Sequence, residues 1–218
     1  MFQKSIAMRF FALALGLVLV SSLVAADTDG FTPLFNGKNM EGFKFFFDPK
    51  APKDSDPAKT WMVKDAAIIC TGKPQAFFYT EKSYKNYVIT YEWRYPEGSS
   101  EKSNSGCLVH IQEPLKIWPK CIEPQGRYYD HGKLFMMGLG KDDIKNNKFD
   151  EATLKSVLKP MGQWSKTEIT CSGDGKIVVK VNGKLISEGE TVLTSGPIGF
   201  QSEAFEIHFR NIHIKQLP

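Results

Sequence analysis

The sequence predicts an all-β chain in which two antiparallel sheets pack face to face as a sandwich, with long loops and at most one or two short helical turns. Three observations indicate this class. Short stretches rich in β-branched and aromatic residues follow one another, apolar and polar residues alternate within them, and turn sequences separate them. The clearest hairpin signal is Asn182-Gly183, and Gly173-Asp174-Gly175 marks another turn.

The predicted elements cover most of the chain after its first 59 residues. Two segments rich in charged residues and in Pro, Gly or Ser, 48–59 and 97–103, are expected to be surface loops. Only residues 150–159 (DEATLKSVLK) have a helical pattern, one or two turns long. Strands are predicted at residues 60–63, 67–71, 76–80, 86–95, 105–112, 117–123, 164–172, 176–181, 184–190, 198–202 and 207–215.

The first 26 residues have the layout of a secretory signal peptide. Lys4 and Arg9 precede a continuous apolar run at residues 10–20, and the small residues 24–26 suit cleavage before Asp27. A membrane anchor is the alternative, but the apolar run is short for a transmembrane helix. We therefore expect an exported protein, periplasmic or secreted, whose residues 27–218 form a single β-domain.

Charge and composition exclude several classes of partner. The whole chain carries a formal charge of +4, which falls to +2 once Lys4 and Arg9 are removed with the signal. No dense run of Lys and Arg indicates nucleic-acid binding. After signal cleavage no segment is apolar enough to cross a bilayer, so a membrane partner is not expected. The oligomeric state stays open.

Four cysteines occur in the exported part: Cys70, Cys107, Cys121 and Cys171. An even number in an exported chain permits two disulfides, in three possible connectivities. Cys107 and Cys121 flank a predicted hairpin. Strand alternation nevertheless places Cys107 with buried residues and Cys121 with polar ones, so this pair requires a bulge or is not bonded.

The strand at 86–95 carries the main functional signal. Its apolar residues alternate with Thr90, Glu92 and Arg94, which places a carboxylate and a guanidinium on one face. Neighbouring segments carry further planar polar groups, and such groups beside aromatic rings suit a sugar. These groups belong to Asn104, His110, Glu123 and Gln125.

Simpler structural interpretations remain open for the same residues. Glu92 and Arg94 could belong to a cross-strand charge ladder, and Asn104 could belong to a turn that enters a strand. His110 could be an ordinary polar residue of the sheet. The tryptophans at 61, 93 and 164 suit a core better than a sugar platform, whereas Trp118 at a strand edge suits either role.

A series of short motifs resembles the 3-keto-disaccharide hydrolase domain family, long described only as a domain of unknown function. The resemblance extends over about residues 31–217. It implies a concanavalin A-like (LamG-like) jelly roll, and many members are exported by bacteria that degrade polysaccharides. Ala66 stands where the family usually has glycine. The motifs lie at residues 35–43 (FNGKNMEGF), 61–68 (WMVKDAAI), 92–94 (EWR), 104–106 (NSG), 118–125 (WPKCIEPQ), 164 (W), 181–183 (VNG), 196–201 (GPIGFQ) and 209–212 (FRNI).

The resemblance implies cleavage of a disaccharide whose C3 hydroxyl has been oxidised to a ketone. Such a ketone acidifies the C2 proton, so a base can remove it, the group at C1 leaves, and water adds back. The site then needs a base, an acid and a group that stabilises the enolate oxygen. We expect Glu92, Glu123 and His110 to be catalytic. A divalent cation is a possible cofactor, although the sequence shows no metal site.

Substrate-binding roles are expected for a second group of residues. Arg94, Asn104 and Gln125 carry planar donors for the enolate oxygen or for sugar hydroxyls. Trp118 offers a ring, and Asp130 and His131 are expected at the rim of the cleft.

Two other functions fit parts of the sequence. A non-catalytic carbohydrate-binding module is the main alternative, because one jelly roll serves both roles. A conventional glycosidase of the laminarinase type fits poorly, because its Glu-x-Asp-x-x-Glu run is missing and Gln125 is an amide where a second acid would be required.

Overall fold

The computed structural model describes residues 29–140 and 143–218. The predicted signal peptide lies outside the described residues, so its presence stays a prediction. In the described part, the strands are β1 (Thr32–Pro33), β2 (Phe43–Phe47), β3 (Trp61–Lys64), β4 (Ala67–Cys70), β5 (Ala76–Thr80), β6 (Tyr84–Lys85), β7 (Tyr87–Arg94), β8 (Cys107–Gln112), β9 (Lys120–Pro124), β10 (Leu134–Met137), β11 (Ile144–Phe149), β12 (Ser165–Cys171), β13 (Lys176–Val181), β14 (Lys184–Thr191), β15 (Ser195–Gly196), β16 (Gly199–Ser202) and β17 (Ile207–Gln216).

These strands form two large antiparallel sheets. One has nine strands in the order β11-β14-β13-β12-β7-β17-β4-β3, with β1 paired to β17. The other has six strands in the order β10-β9-β8-β16-β5-β2. A short pair, β6 with β15, completes the strands of the described residues. The predicted sandwich of antiparallel sheets is confirmed.

The core lies between the two large sheets and is rich in aromatic rings. Strand β7 turns Ile89, Tyr91 and Trp93 inwards, as its alternation predicted. The ring of Tyr91 meets the ring of Phe200 from β16 edge-on, with centroids 5.0 Å apart. Trp61 also lies in this core, so two of the three tryptophans discussed above as core residues are fully buried there.

Several strands were not predicted, and most of them have a physical reason. Strand β2 reads FKFFF and shows little alternation, because Phe46 stacks on Phe77 on the outer face while Phe45 and Phe47 pack against Trp61. Strand β11 is polar because it lies at the edge of the nine-stranded sheet and exposes most of its residues. Strands of two residues, such as β1, are too short to carry a period.

Among the elements of known bounds in the described residues, two α-helices and one short 3₁₀ helix connect the strands. Helix α1 (Pro57–Thr60) was not predicted, and the Asp56 side chain caps it by accepting from the Ala58 amide at 2.8 Å. Helix α2 (Glu151–Val157) confirms the predicted helical turns, with Asp150 capping the Thr153 amide at 2.9 Å. A 3₁₀ turn spans Tyr128–Asp130. None of these described helices has the length and apolar character that a bilayer crossing requires.

The four cysteines are buried and unpaired. Cys107 faces the core between the sheets together with Cys70 and Cys171, whereas Cys121 belongs to a separate apolar cluster with Phe77 and Leu108 on the outer face of the six-stranded sheet. The parity argument against a Cys107–Cys121 bond therefore agrees with the structure. The strands do contain a bulge between Val109 and Gln112, but it does not bring the two thiols to the same face.

Candidate functional site

The outer face of the six-stranded sheet carries a group of polar side chains at one end of β8, β9 and β16. Strand alternation explains two of them, because Ile122 and Phe200 face the core and their neighbours Glu123 and Gln201 therefore face outwards. Glu123 and Gln201 are 94% and 98% buried despite their position on the outer face. With three residues from adjoining loops they form what we call the Glu123 cluster: Asn104, Glu123, Arg127, Gln201 and Glu203.

Gly106 forms the floor beneath two members of the cluster. It pairs with Gln125 across an isolated β-bridge, and its carbonyl accepts a hydrogen bond from the backbone N–H of Gln201 at 3.0 Å. A β-carbon at this position would overlap the Oε1 atoms of both Glu123 and Gln201. Because residue 106 is glycine, the Glu123 carboxyl and the Gln201 side-chain amide can lie side by side against its backbone.

Burial sets the protonation of Glu123. The pKa of this carboxyl is raised from 4.5 to about 8, mainly by removal from water and also by the neighbouring Glu203, against the lowering effects of Arg127 and Gln201. The pKa of Glu203 is also raised by burial, with Asn104 and Arg127 acting in the opposite direction. With a pKa of about 8, the Glu123 carboxyl can hold and release a proton near neutral pH.

Unpartnered polar atoms mark the same cluster. Two acceptors, Asn104 Oδ1 and Gln201 Oε1, and one donor, Gln201 Nε2, are buried without a hydrogen-bond partner among the described residues. Buried polar groups are normally paired, so unpaired ones beside a titratable carboxyl suggest groups that a ligand would satisfy. A sugar hydroxyl can donate to one such oxygen and accept from a neighbouring amide.

The structure separates Glu92 and Arg94 from this cluster. Both lie on the outer face of the nine-stranded sheet, on the opposite side of the sandwich. The Nε of Arg210 donates to Glu92 Oε2 at 2.6 Å, and the Nε of Arg94 donates to His208 Nδ1 at 3.2 Å. The expected pairing of Glu92 with Glu123 on one substrate is therefore corrected, because the whole sandwich stands between them.

The structure also places His110 away from the cluster. The bulge in β8 gives it a positive φ of 59° and turns its ring towards the core side, edge-on to Tyr87. The backbone carbonyl of Leu193 lies 2.8 Å from Nδ1, while Nε2 is buried without a partner. Burial lowers the pKa of His110 to about 4, so the ring is neutral and cannot act with Glu123 across the sheet.

His131 is a core residue and does not line the rim of a cleft. Its ring stacks on Trp93 with centroids 3.8 Å apart, and Thr167 Oγ1 lies 2.8 Å from its Nε2. The indole Nε1 of Trp93 donates to the same hydroxyl at 2.9 Å. Burial lowers the pKa of His131 to about 3. The expected substrate contact is corrected, because the side chain is enclosed between the sheets.

The remaining expected site residues lie at or near the cluster. Asn104 belongs to it. Gln125 lies beside it, but its Oε1 accepts from the Gly126 and Arg127 amides at 2.8 and 3.0 Å, so this oxygen shapes the turn. Asp130 pairs with Arg127 at 3.4 Å. Trp118 is 42% exposed in the loop between β8 and β9.

Sequence reasoning missed Arg127, Gln201 and Glu203 as site residues. A signal existed for two of them, because Gln201 and Glu203 continue the outward parity that begins at Gly199 in β16. Arg127 follows Gln125 by two residues, but the turn after β9 breaks the alternation that would have identified it.

A metal ion would need ligands that this cluster offers only in part. Among the described residues, no three His, Cys, Asp or Glu side chains come close enough together to hold one. The two carboxyls of the Glu123 cluster are accompanied by a guanidinium, which opposes a bound cation.

Comparison with known proteins agrees with this picture. An antiparallel two-sheet sandwich of this kind, with a polar cluster on one outer face, is a lectin-like β-sandwich. The chain belongs to the 3-keto-alpha-glucoside-1,2-lyase-like domain family, which its residues 30–215 match. The family resemblance inferred from the motifs is confirmed.

Two of the similar proteins carry names of hydrolases that act on sugars. A 3-keto-disaccharide hydrolase from Bacteroides thetaiotaomicron is 25% identical over 164 residues, which cover 66% of this chain and 53% of that protein. The chain thus spans about half the length of that curated relative. A candidate glycosyl hydrolase from Parabacteroides distasonis has a similar structure, with a TM-score of 0.63, 24% identity and coverage of 87% of this chain and 94% of that one.

A carbohydrate binding module from Bacillus subtilis, CBM66, also shares the fold. Its TM-score is 0.53 at 8% identity, and the match covers 82% of this chain and 98% of that one. At such identities the structural likenesses establish the sandwich fold alone.

Proposed function

We propose that this chain is an exported enzyme that cleaves 3-keto-glycosides, including 3-keto-disaccharides, at the Glu123 cluster. The observation that carries the proposal is the buried Glu123 carboxyl, whose raised pKa lets it exchange a proton near neutral pH. The family and the named relative supply the substrate class. Export rests on the signal-peptide layout of the sequence.

The proposed reaction begins with proton abstraction from C2. Ionised Glu123 takes this proton, and the C–H electron pair forms the C2–C3 double bond of an enolate while the C3 carbonyl oxygen becomes an oxyanion. Arg127 and the amides of Asn104 and Gln201 are the donors available for that oxyanion. The negative charge of Glu123 thus moves onto a group that a guanidinium can stabilise.

Elimination and hydration complete the cycle. The enolate electrons return to re-form the C3 carbonyl, the former C–H pair becomes a C1–C2 double bond, and the C1–O bond breaks with its electrons on the leaving oxygen. That oxygen receives a proton from a carboxyl of the cluster, either Glu123 or Glu203. Water then adds across C1–C2, with its hydroxyl on C1 and its proton on C2, so the net reaction is hydrolysis.

Turnover of a 3-keto-disaccharide tests the proposal directly. The purified protein is incubated with the substrate, with and without a chelator, and released 3-keto-glucose is measured. We expect Glu123→Gln to lower kcat by about 10²–10⁴-fold. Glu92→Gln is the matched control from the opposite sheet face and should retain turnover.

Three results would change the assignment. Normal turnover by Glu123→Gln would remove Glu123 from the mechanism, and loss of turnover with the chelator would show that a metal ion carries part of the chemistry. Binding of unoxidised glycans with no product from keto-sugars would identify a carbohydrate-binding module.

A further inference from the structure

A second polar groove lies on the outer face of the nine-stranded sheet, where Glu92 and Arg94 were found. Its volume is about 360 Å³, within the range of small-ligand sites. Strands β4, β7 and β17 supply its floor, and the segment before β12 supplies Trp164. We call it the Trp164 groove, and it is lined by Lys64, Asp65, Ala67, Ile69, Arg94, Trp164, His208 and Arg210.

Two arginines are held rigidly in this groove. The guanidinium carbon of Arg94 lies 4.5 Å from the Trp164 ring centroid, and that of Arg210 lies 4.1 Å from it. Their Nε atoms are already used, by His208 and Glu92 respectively. His208 is in turn bonded through Nε2 to Glu206. The two guanidinium groups are therefore oriented before any ligand binds, which reduces the entropy cost of binding.

Both arginines keep guanidinium donors that have no hydrogen-bond partner among the described residues. Arg210 makes its hydrogen bond through Nε, so both Nη groups remain available, and Arg94 uses Nη1 only for a 3.4 Å contact with the Gly162 carbonyl. Lys64 adds a third cationic group, and three carboxylates lie in or beside the lining: Asp65 in it, Glu92 against Arg210 and Glu206 against His208. Directed guanidinium donors favour an oxyanion, because a carboxylate or sulfate accepts from two parallel N–H groups.

The floor of the groove has a different character. Ala67 is small and buried, and Ile69 is half-buried. These two residues form an apolar floor that the two arginines and Trp164 surround. An apolar surface suits the C–H face of a pyranose ring, while a bare inorganic ion would gain nothing from it. We propose that the Trp164 groove binds the anionic group, a carboxylate or sulfate ester, of an acidic saccharide.

This site is independent of the proposed reaction. The Trp164 groove and the Glu123 cluster lie on opposite outer faces of the sandwich, so one short sugar cannot occupy both. A saccharide held in the groove would tether the protein to an acidic glycan while the Glu123 cluster faces away from it.

Calorimetric titration with defined oligosaccharides tests the proposal. The probes are tri-galacturonic acid, its neutral methyl ester and inorganic sulfate. We expect the acid to bind at least about tenfold more tightly than the ester, since esterification removes the charge-assisted hydrogen bonds between the guanidinium groups and the carboxylate. Lys64→Glu, at an exposed position of the lining, should weaken binding by a similar factor. Arg94→Lys should also weaken it, because lysine keeps the charge but lacks the two parallel N–H donors of a guanidinium. Lys44→Glu, on the other sheet, is the control for a changed net charge.

The outcomes separate this site from the catalytic proposal. Titration of Glu123→Gln should give the same affinity as the unmodified protein, whether or not the enzyme proposal holds. Equal affinities for acid and ester, or unchanged binding in Lys64→Glu, would overturn the inference. Sulfate binding as tightly as tri-galacturonic acid would also overturn it, because the groove would then bind a free anion and not a saccharide.

Discussion

Replacing Glu123 with Gln should make the folded protein more stable, and increasingly so as the pH rises. Burial holds the pKa of Glu123 at about 8 in the folded state against 4.5 for an ordinary glutamate, so the folded state binds the proton more tightly than the unfolded chain does. Below pH 4.5 both states are protonated and the carboxyl costs nothing. Between pH 4.5 and 8 the unfolded chain ionises first, so stability falls as the pH rises.

The magnitude follows from the separation of the two pKa values. A gap from 4.5 to about 8 corresponds to about 5 kcal/mol at a pH above both, because each pKa unit contributes about 1.4 kcal/mol. A domain of this size has a free energy of unfolding of about 5–15 kcal/mol, so the effect is large. Glutamine keeps the shape of the side chain and carries no charge to bury.

Urea unfolding at several pH values between 4.5 and 9 measures the difference. We expect the gain of Glu123→Gln over the unmodified protein to be near zero at pH 4.5 and to approach about 5 kcal/mol at pH 9. Glu92→Gln, which removes a carboxylate that is 25% exposed and paired with Arg210, should change stability by less than about 1 kcal/mol throughout. A gain that stays constant with pH would refute the burial argument for Glu123.

The remaining predictions concern the same cluster and the core behind it. The rate of 3-keto-disaccharide cleavage, measured as kcat/KM, should rise with pH up to about 8, because the ionised form of Glu123 is the base; a rate that falls over this range would exclude that role. Gly106→Ala should abolish turnover and lower the unfolding midpoint, because a β-carbon there displaces the Glu123 and Gln201 side chains; a fully active, equally stable variant would contradict the packing described for Gly106. Thr167→Val should cost about 1–3 kcal/mol in chemical unfolding, because it leaves His131 and Trp93 without their shared partner; a neutral result would show that the hydroxyl is dispensable.

Strand alternation identified the faces of individual strands well but could not assign strands to sheets. Glu92 and Glu123 both point away from the core, as their parity predicts. Parity says nothing about which sheet a strand joins, and β7 and β9 belong to different ones. Two outward faces of a sandwich point in opposite directions, so the predicted single polar face became two separate surfaces.

The two histidines show a different limit. His110 breaks the alternation of β8 because a bulge follows Val109, and no residue type in that segment marks the bulge. His131 is polar and follows a loop, which is typical of the surface, yet Trp93 and Thr167 accommodate it inside. The positions of both side chains depend on residues distant in sequence, and a local sequence pattern carries no information about those residues.

The four buried thiols can serve as probes of transient unfolding. Burial raises the pKa of Cys70 to about 11 and that of Cys171 to about 12, and it places the pKa values of Cys107 and Cys121 well above 9.0. Only the thiolate reacts with an alkylating reagent, so the folded protein should be almost inert. Each modified cysteine then counts an unfolding event, and a pulse of iodoacetamide read by mass spectrometry would time how often each sheet separates from the other.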